Sequence, residues 1–199
     1  MRAPNAALTA AVQADERSEQ DDATLAGRAG AGDAEAFGAL YDRYVDAVYR
    51  YVYYRVRNEA EAEDVTGDVF YKALRAIPRY QPRQPFLAWL YRIARNAVID
   101  RVRRQRPQVA FEDALAHPGA DRVVDPDEGL DRLSDSVAVR EAIAKLTPLQ
   151  QEVIVLRYVE GLETKEIGRI LGRRDGTVRG IEFRALGMLR QVLPREALT

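Results

Sequence analysis

WLYRIARNAVIDRVRRQR, running from Trp89 to Arg106, separates into two faces when wound as a helix. Leu87, Leu90, Tyr91, Ala94, Ala97, Val98 and Val102 make an apolar stripe that must pack against something. Trp89, Arg92, Asn96, Asp100 and Arg103 crowd the opposite side, and Arg101 alone spoils the apolar one. Upstream, Pro78, Pro82 and Pro85 enforce a loop, IPRYQPRQP, because each ring removes a backbone donor and fixes φ.

Further upstream the helical period continues. A short helix is expected around Thr24 to Ala29, stopped by Gly30 and Gly32, after which Asp33 caps a long helix. Phe37, Leu40, Tyr41, Tyr44, Val45, Val48, Val52 and Val56 recur at helical spacing along it, and Asn58 ends it. A third helix runs from about Glu59 to Ala76, with acids in its first turn and Ala62, Val65, Val69, Ala73 and Leu74 facing inward. The cluster Tyr41, Tyr44, Tyr49, Tyr51, Tyr53, Tyr54 and Tyr71 is expected to pack within this helical domain, spare hydroxyls at its surface.

Downstream, 107–135 carries Pro, Gly and acids without periodicity and reads as a flexible acidic linker. A span of about 29 residues has an r.m.s. reach of roughly 30 Å and extends to about 95 Å, so the modules at its ends can serve separated sites. After it, a helix is expected around Val137 to Lys145. Thr147, Pro148 and Gln150 then form a helix-start signature, and Gly161 closes that helix. LETKEIGRILG gives a short helix capped near Thr164 and turning at Gly172. In the helix that follows, Val178, Ile181, Ala185, Met188 and Leu189 pack inward, a helix-turn-helix pattern. The fold class is therefore all-α. The domains are 22–106 and 136–194, with 1–21 and 195–199 as tails.

The 47% hydrophobic content suffices for a packed core, and the net charge of -1 conceals strong segregation. Between Arg75 and Arg106 nine arginines face the single acid Asp100, whereas from Glu112 to Asp135 eight acids face only Arg122 and Arg132. The absence of cysteine excludes disulfides and thiolate metal sites, and no apolar run approaches the roughly 20 residues needed to span a bilayer. The acidic cluster Asp15, Glu16, Glu19, Asp21 and Asp22, with no apolar run before it, reads as a floppy tail rather than a secretory signal, and a cytoplasmic protein is expected.

The chemistry of the exposed faces points to nucleic acid. Arginine attracts phosphate, Trp89 offers a stacking platform, and Asn96 offers a donor and an acceptor to a base edge. With Arg79, Tyr80 and Arg83 in the loop before it, this face suits a single strand with an extruded base. In the C-terminal domain Arg173, Arg174 and Arg179, with Thr177, Gly180, Phe183 and Arg184 on the open side of the last helix, suit a duplex major groove. Glu182 either accepts from a cytosine amine or points away. His117, the one histidine, has no Ser, Asp or Glu arrangement around it, so no catalytic residue, metal or cofactor is expected.

YDRYVDAVYRYVYYRV, AEDVTGDVFYKAL, FLAWLYRIARNAVIDRVRR and EIGRILGRRDGTVRGIEFRALGMLR stand in an order and spacing that resembles the extracytoplasmic-function sigma factors of bacterial RNA polymerase, in the sigma-70 family, over about Asp22 to Leu193. The resemblance implies a non-enzymatic initiation subunit. Asp64, Val65, Asp68, Val69 and Phe70 would dock on the polymerase clamp helices, with the flap of the second-largest subunit as a further contact. The Arg79 to Gln84 loop with Trp89, Arg92, Asn96 and Arg103 would capture the melted minus-ten strand. Arg179, Gly180, Phe183 and Arg184, with Arg173, Arg174 and Thr177 near the backbone, would read the minus-thirty-five duplex. An anti-sigma factor is an expected partner, and no membrane insertion is. The acidic linker would thread polymerase channels, and the segregation of charge leads us to expect that it also masks the basic faces of the free protein. Gly168 and Gly187 stand where the family usually has Ala or larger, each at a cost of roughly 0.5–1 kcal/mol relative to Ala.

The rival is a stand-alone LuxR-type helix-turn-helix regulator, in which LTPLQQEVIVLRYVEGLETKEIGRILGRRDGTV would be equally at home. Such a regulator has no need for the arginine and Trp face of the first domain.

Overall fold

The computed structural model describes residues 21–105 and 137–193. Among these there are helices and turns but no strand. The acidic linker, with its channel-threading and masking roles, and the outermost tails lie outside the described residues. Within them, 21–53 with 57–97 form one compact unit, and 54–56, 98–105 and 137–193 the other.

In the first unit, α1 spans 21–30, α2 Ala34–Val56, α3 Glu59–Ala76 and α4 Phe86–Gln105, the last running on past the unit's end. Asp33 caps α2 by accepting from the Ala36 N–H at 3.0 Å. That bond, followed by the bond from Arg28, holds its carboxyl below the usual range. The end of α2 differs from expectation. Arg57 takes the left-handed turn at φ 57°, and Asn58 instead starts α3, accepting from the Glu61 N–H at 2.9 Å. Each residue closes or opens one helix, so the two nearly abut.

The core joins Leu40, Tyr44, Val48, Tyr51 and Val52 of α2 to Val65, Val69, Phe70 and Ala73 of α3 and to Phe86, Leu90, Tyr91, Ala94 and Ala97 of α4. Tyr51 and Tyr91 are fully buried, with ring centroids 5.3 Å apart. Three expectations fail at its edge. Tyr71 and Leu74 are exposed (61% and 47%), because Thr66 and Phe70 take the inward positions on α3, whereas Tyr41, though partly exposed, packs its ring edge-on against Phe70 at 4.7 Å. Asp21 and Asp22 belong to α1 rather than to a tail. Arg43 binds both carboxylates, and Tyr44 donates to the buried Asp22, so α1 is tied to α2. Burial and that carboxylate push the Tyr44 phenol up.

In the second unit, α5 spans Val137–Ala144, α6 Pro148–Ile154, α7 Thr164–Leu171 and α8 Asp175–Val192. Thr147 and Gln150 form the expected capping box at the start of α6. Its continuation is unexpected: Val155–Val159 winds as a π-helical segment, with the Glu160 N–H donating to the Val155 carbonyl at 3.0 Å, before Gly161 turns the chain at φ 72°. Leu186, rather than the 40% exposed Met188, completes the inward face of α8.

Candidate nucleic-acid interfaces

The first candidate surface is the loop between α3 and α4 together with one face of α4. Ile77–Arg79 forms a 3-10 turn, and the Tyr80 N–H closes it on the Ile77 carbonyl at 3.0 Å. Tyr80 then turns its hydroxyl along the loop and donates to the Gln84 backbone carbonyl at 2.8 Å. Its ring stands edge-on to buried Phe86 (5.5 Å, 82°) and leans on Trp89 (5.1 Å), which itself contacts Phe86 at 5.2 Å. Phe86 rests in turn on Tyr44 at 5.8 Å.

Around this aromatic cluster Arg79 and Arg83 are exposed, Tyr80 and Trp89 half-buried, and Arg92, Asn96 and Arg103 exposed along α4. The spacing of 89, 92, 96 and 103 places these four within a narrow sector of the helix, over about 21 Å of its length. Trp89 thus belongs partly to the packing and partly to the surface, which the helical period alone does not distinguish.

On α3, the expected polymerase-docking residues divide. Asp64 and Asp68 are exposed, whereas Val65, Val69 and Phe70 are at most 5% exposed and fill the core. The surface beside the two acids consists of Gly67, Tyr71 and Leu74, with the Arg75 guanidinium 5.9 Å from the Tyr71 ring centre. The inward-facing valines were legible as core from their period; the resemblance had assigned them to docking.

The second candidate surface is the exposed side of α8. The N-cap of α7 is Glu163 rather than Thr164, and its N–H donates to the Glu166 carboxylate at 2.7 Å. Gly172 ends α7 at φ 64°, and the Arg173 N–H returns to the Gly168 carbonyl at 2.8 Å. A Cβ on Gly168 would lie 2.8 Å from the Arg173 carbonyl oxygen. Gly168 is therefore no weakness relative to Ala: the turn lies where a methyl group would be. Gly187 has nothing within 4 Å, and there the expected propensity cost stands.

The turn itself leaves Arg173 and Arg174 exposed, and α8 projects Thr177, Arg179, Phe183 and Arg184 into the open, with Gly180 half-buried, while Val178, Ile181, Ala185 and Leu189 pack inward. Glu182 points away from this surface. It accepts from the Tyr158 hydroxyl at 3.0 Å and pairs with Arg157 at 3.5 Å, both on the π-helical segment. Burial first, and then the Glu182 charge, push the Tyr158 phenol up. Of the two alternatives left open for Glu182, the inward one is the observed one.

Residues 40–108 match the family description Sigma-70 region 2, and 142–191 match Sigma-70, region 4. The chain is 42% identical over 177 residues to the ECF RNA polymerase sigma factor BldN of Streptomyces coelicolor, covering 87% of this chain and 66% of that protein. It is 35% identical over 171 residues to the ECF RNA polymerase sigma factor SigW of Bacillus subtilis, covering 81% of this chain and 91% of that one. The chain thus spans about two thirds of BldN and nearly all of SigW. Among solved structures, CnrH in complex with the cytosolic domain of CnrY superposes with a TM-score of 0.64 at 26% identity, covering 86% of this chain and 96% of that one.

Proposed function

This chain belongs to the extracytoplasmic-function sigma factors of the sigma-70 family, and from that premise we propose that it joins core RNA polymerase as a non-enzymatic, cytoplasmic initiation subunit, directs it to particular promoters and helps open their minus-ten element. The region-2 domain (22–106) takes the separated strand through the loop carrying Arg79, Tyr80 and Arg83 and through Trp89, Arg92, Asn96 and Arg103. The region-4 domain (136–194) takes the minus-thirty-five duplex through Arg179, Gly180, Phe183 and Arg184, with Arg173, Arg174 and Thr177 at the phosphates.

The observation that carries this is the single sector of α4 on which Trp89, Arg92, Asn96 and Arg103 lie, beginning at an aromatic-braced loop edged by Arg79 and Arg83. Such a surface recovers part of the unstacking cost of an extruded base without ATP. Each module alone binds weakly. Held on one polymerase, engagement of the first raises the effective concentration of the second, so occupancy of both elements gives selectivity.

Asp64 and Asp68 with the exposed Tyr71 and Leu74 are the surface offered to the polymerase clamp, and an anti-sigma protein would silence the chain by covering it. No helix among the described residues is long and apolar enough to cross a membrane. Co-purification with core polymerase followed by run-off transcription tests the proposal: a transcript that needs both the chain and core enzyme supports it. Specific operator binding without polymerase, and no transcript with it, would instead support the LuxR-type reading.

A further inference from the structure

The Tyr80 side chain is committed at both ends. Its ring is held edge-on by Phe86 and against Trp89, and its hydroxyl donates to the Gln84 backbone carbonyl at 2.8 Å, closing the turn that displays Arg83. Within the loop the Tyr80 N–H also bonds to the Ile77 carbonyl and the Arg83 N–H to the Gln81 carbonyl at 2.7 Å. Pro82 and Pro85 cannot donate. A residue whose purpose were only to offer a ring to a base would gain nothing from fixing a carbonyl four positions on.

We propose that Tyr80 is a positioning residue for strand capture, whose phenol hydroxyl fastens the Arg79–Gln84 loop in its capturing shape before DNA arrives. The inference rests on the assignment of this loop to the minus-ten strand. Pre-ordering the loop removes an entropic cost that would otherwise fall at the moment of capture. Trp89, braced by the same cluster, is left as the stacking surface. Because the acceptor is a main-chain oxygen, the identity of residue 84 is immaterial to the fastening, whereas the oxygen of residue 80 is essential to it.

The test uses the holoenzyme, assembled from the full chain and core polymerase. Its probe is a fluorescent single-stranded 12-nucleotide DNA, the best binder that the wild-type holoenzyme retains from a pool randomised at the minus-ten positions. Tyr80→Phe keeps the ring and removes the hydroxyl; it should release the probe about fivefold faster, the size of one lost net hydrogen bond. Gln84→Ala, which keeps the accepting main-chain oxygen, should speed release by less than Tyr80→Phe does. Core-polymerase affinity should be the same in all three proteins, and any fall in the melting temperature of the free Tyr80→Phe chain should be no larger than one lost hydrogen bond accounts for; a merely structural Tyr80 would shift polymerase affinity as well.

Trp89→Ala separates the two layers of the argument. If Trp89→Ala weakens the probe and Tyr80→Phe does not, the fastening is wrong and strand capture stands. If neither weakens it, the assignment of the loop to the strand fails. A Gln84→Ala loss as large as that of Tyr80→Phe would also overturn the fastening, because the contact would then belong to the residue 84 side chain.

Discussion

Gly168→Ala and Gly187→Ala are the same chemical change in two helices of one unit, and the structure predicts opposite signs. On propensity alone each would stabilise its helix by about 0.5–1 kcal/mol. At Gly187 the new methyl meets nothing within 4 Å, so that gain is kept. At Gly168 the methyl lies 2.8 Å from the Arg173 carbonyl oxygen and 3.3 Å from the Asp175 carboxylate. The first neighbour is backbone in the turn that launches α8 and cannot swing aside as a long side chain would. Overpacking of this kind costs about 1–3 kcal/mol, which outweighs the propensity gain and leaves Gly168→Ala destabilised by about 1–2 kcal/mol. The sole tryptophan, Trp89, lies in the other unit, so its fluorescence does not follow this one. Hydrogen exchange of the α7 and α8 amides does, and it should speed about five- to thirtyfold in Gly168→Ala and slow in Gly187→Ala. Protection in Gly168→Ala equal to or above that of the parent would refute the close approach of turn and helix.

Three further outcomes are expected. Glu182→Ala, which leaves the half-buried Tyr158 hydroxyl without its acceptor, should cost about 1–3 kcal/mol in chemical denaturation; Glu182→Gln should cost less, and neither should alter base preference in competition binding to minus-thirty-five duplexes. Tyr71→Ser with Leu74→Ser removes exposed apolar surface, so stability should move by under about 0.5 kcal/mol while a pull-down titration shows core-polymerase binding weakened about tenfold. Asp33, whose carboxyl is held low by the Ala36 N–H and Arg28, binds its proton more readily unfolded than folded. Its contribution is therefore present above about pH 4 and lost as pH falls through the folded value, so amides in the first turn of α2 should lose protection there in the parent and far less in Asp33→Asn, which still caps.

The helices were legible because their signals are local. Asp33 and the Thr147–Gln150 box each satisfy backbone donors within three residues, and the period of α4 separates Leu90, Tyr91 and Ala94 from Arg92 and Asn96 without reference to any partner. What escaped depends on contacts distant in sequence. Arg43 reaches back over 20 positions to make Asp22 a core residue, which no window around an acidic stretch reveals. The π-helical segment exists where Val155–Val159 packs between other helices, and it places Arg157 and Tyr158 against Glu182, 24 residues beyond Tyr158. On α3 the period implied that Val65 and Val69 face inward, and their burial shows why only Asp64 and Asp68 of the residues assigned by resemblance reach the surface.

The most direct measurement is promoter opening by holoenzyme carrying Trp89→Ala and Asn96→Ala, followed by permanganate reactivity of unpaired thymines on a duplex promoter and on the same promoter with the minus-ten region pre-melted. Loss of one stacked base costs about 1–3 kcal/mol, so opening of the duplex should fall about 5- to 150-fold while transcription from the pre-melted template recovers most of its level. Undiminished opening of the duplex by the double variant would contradict the account.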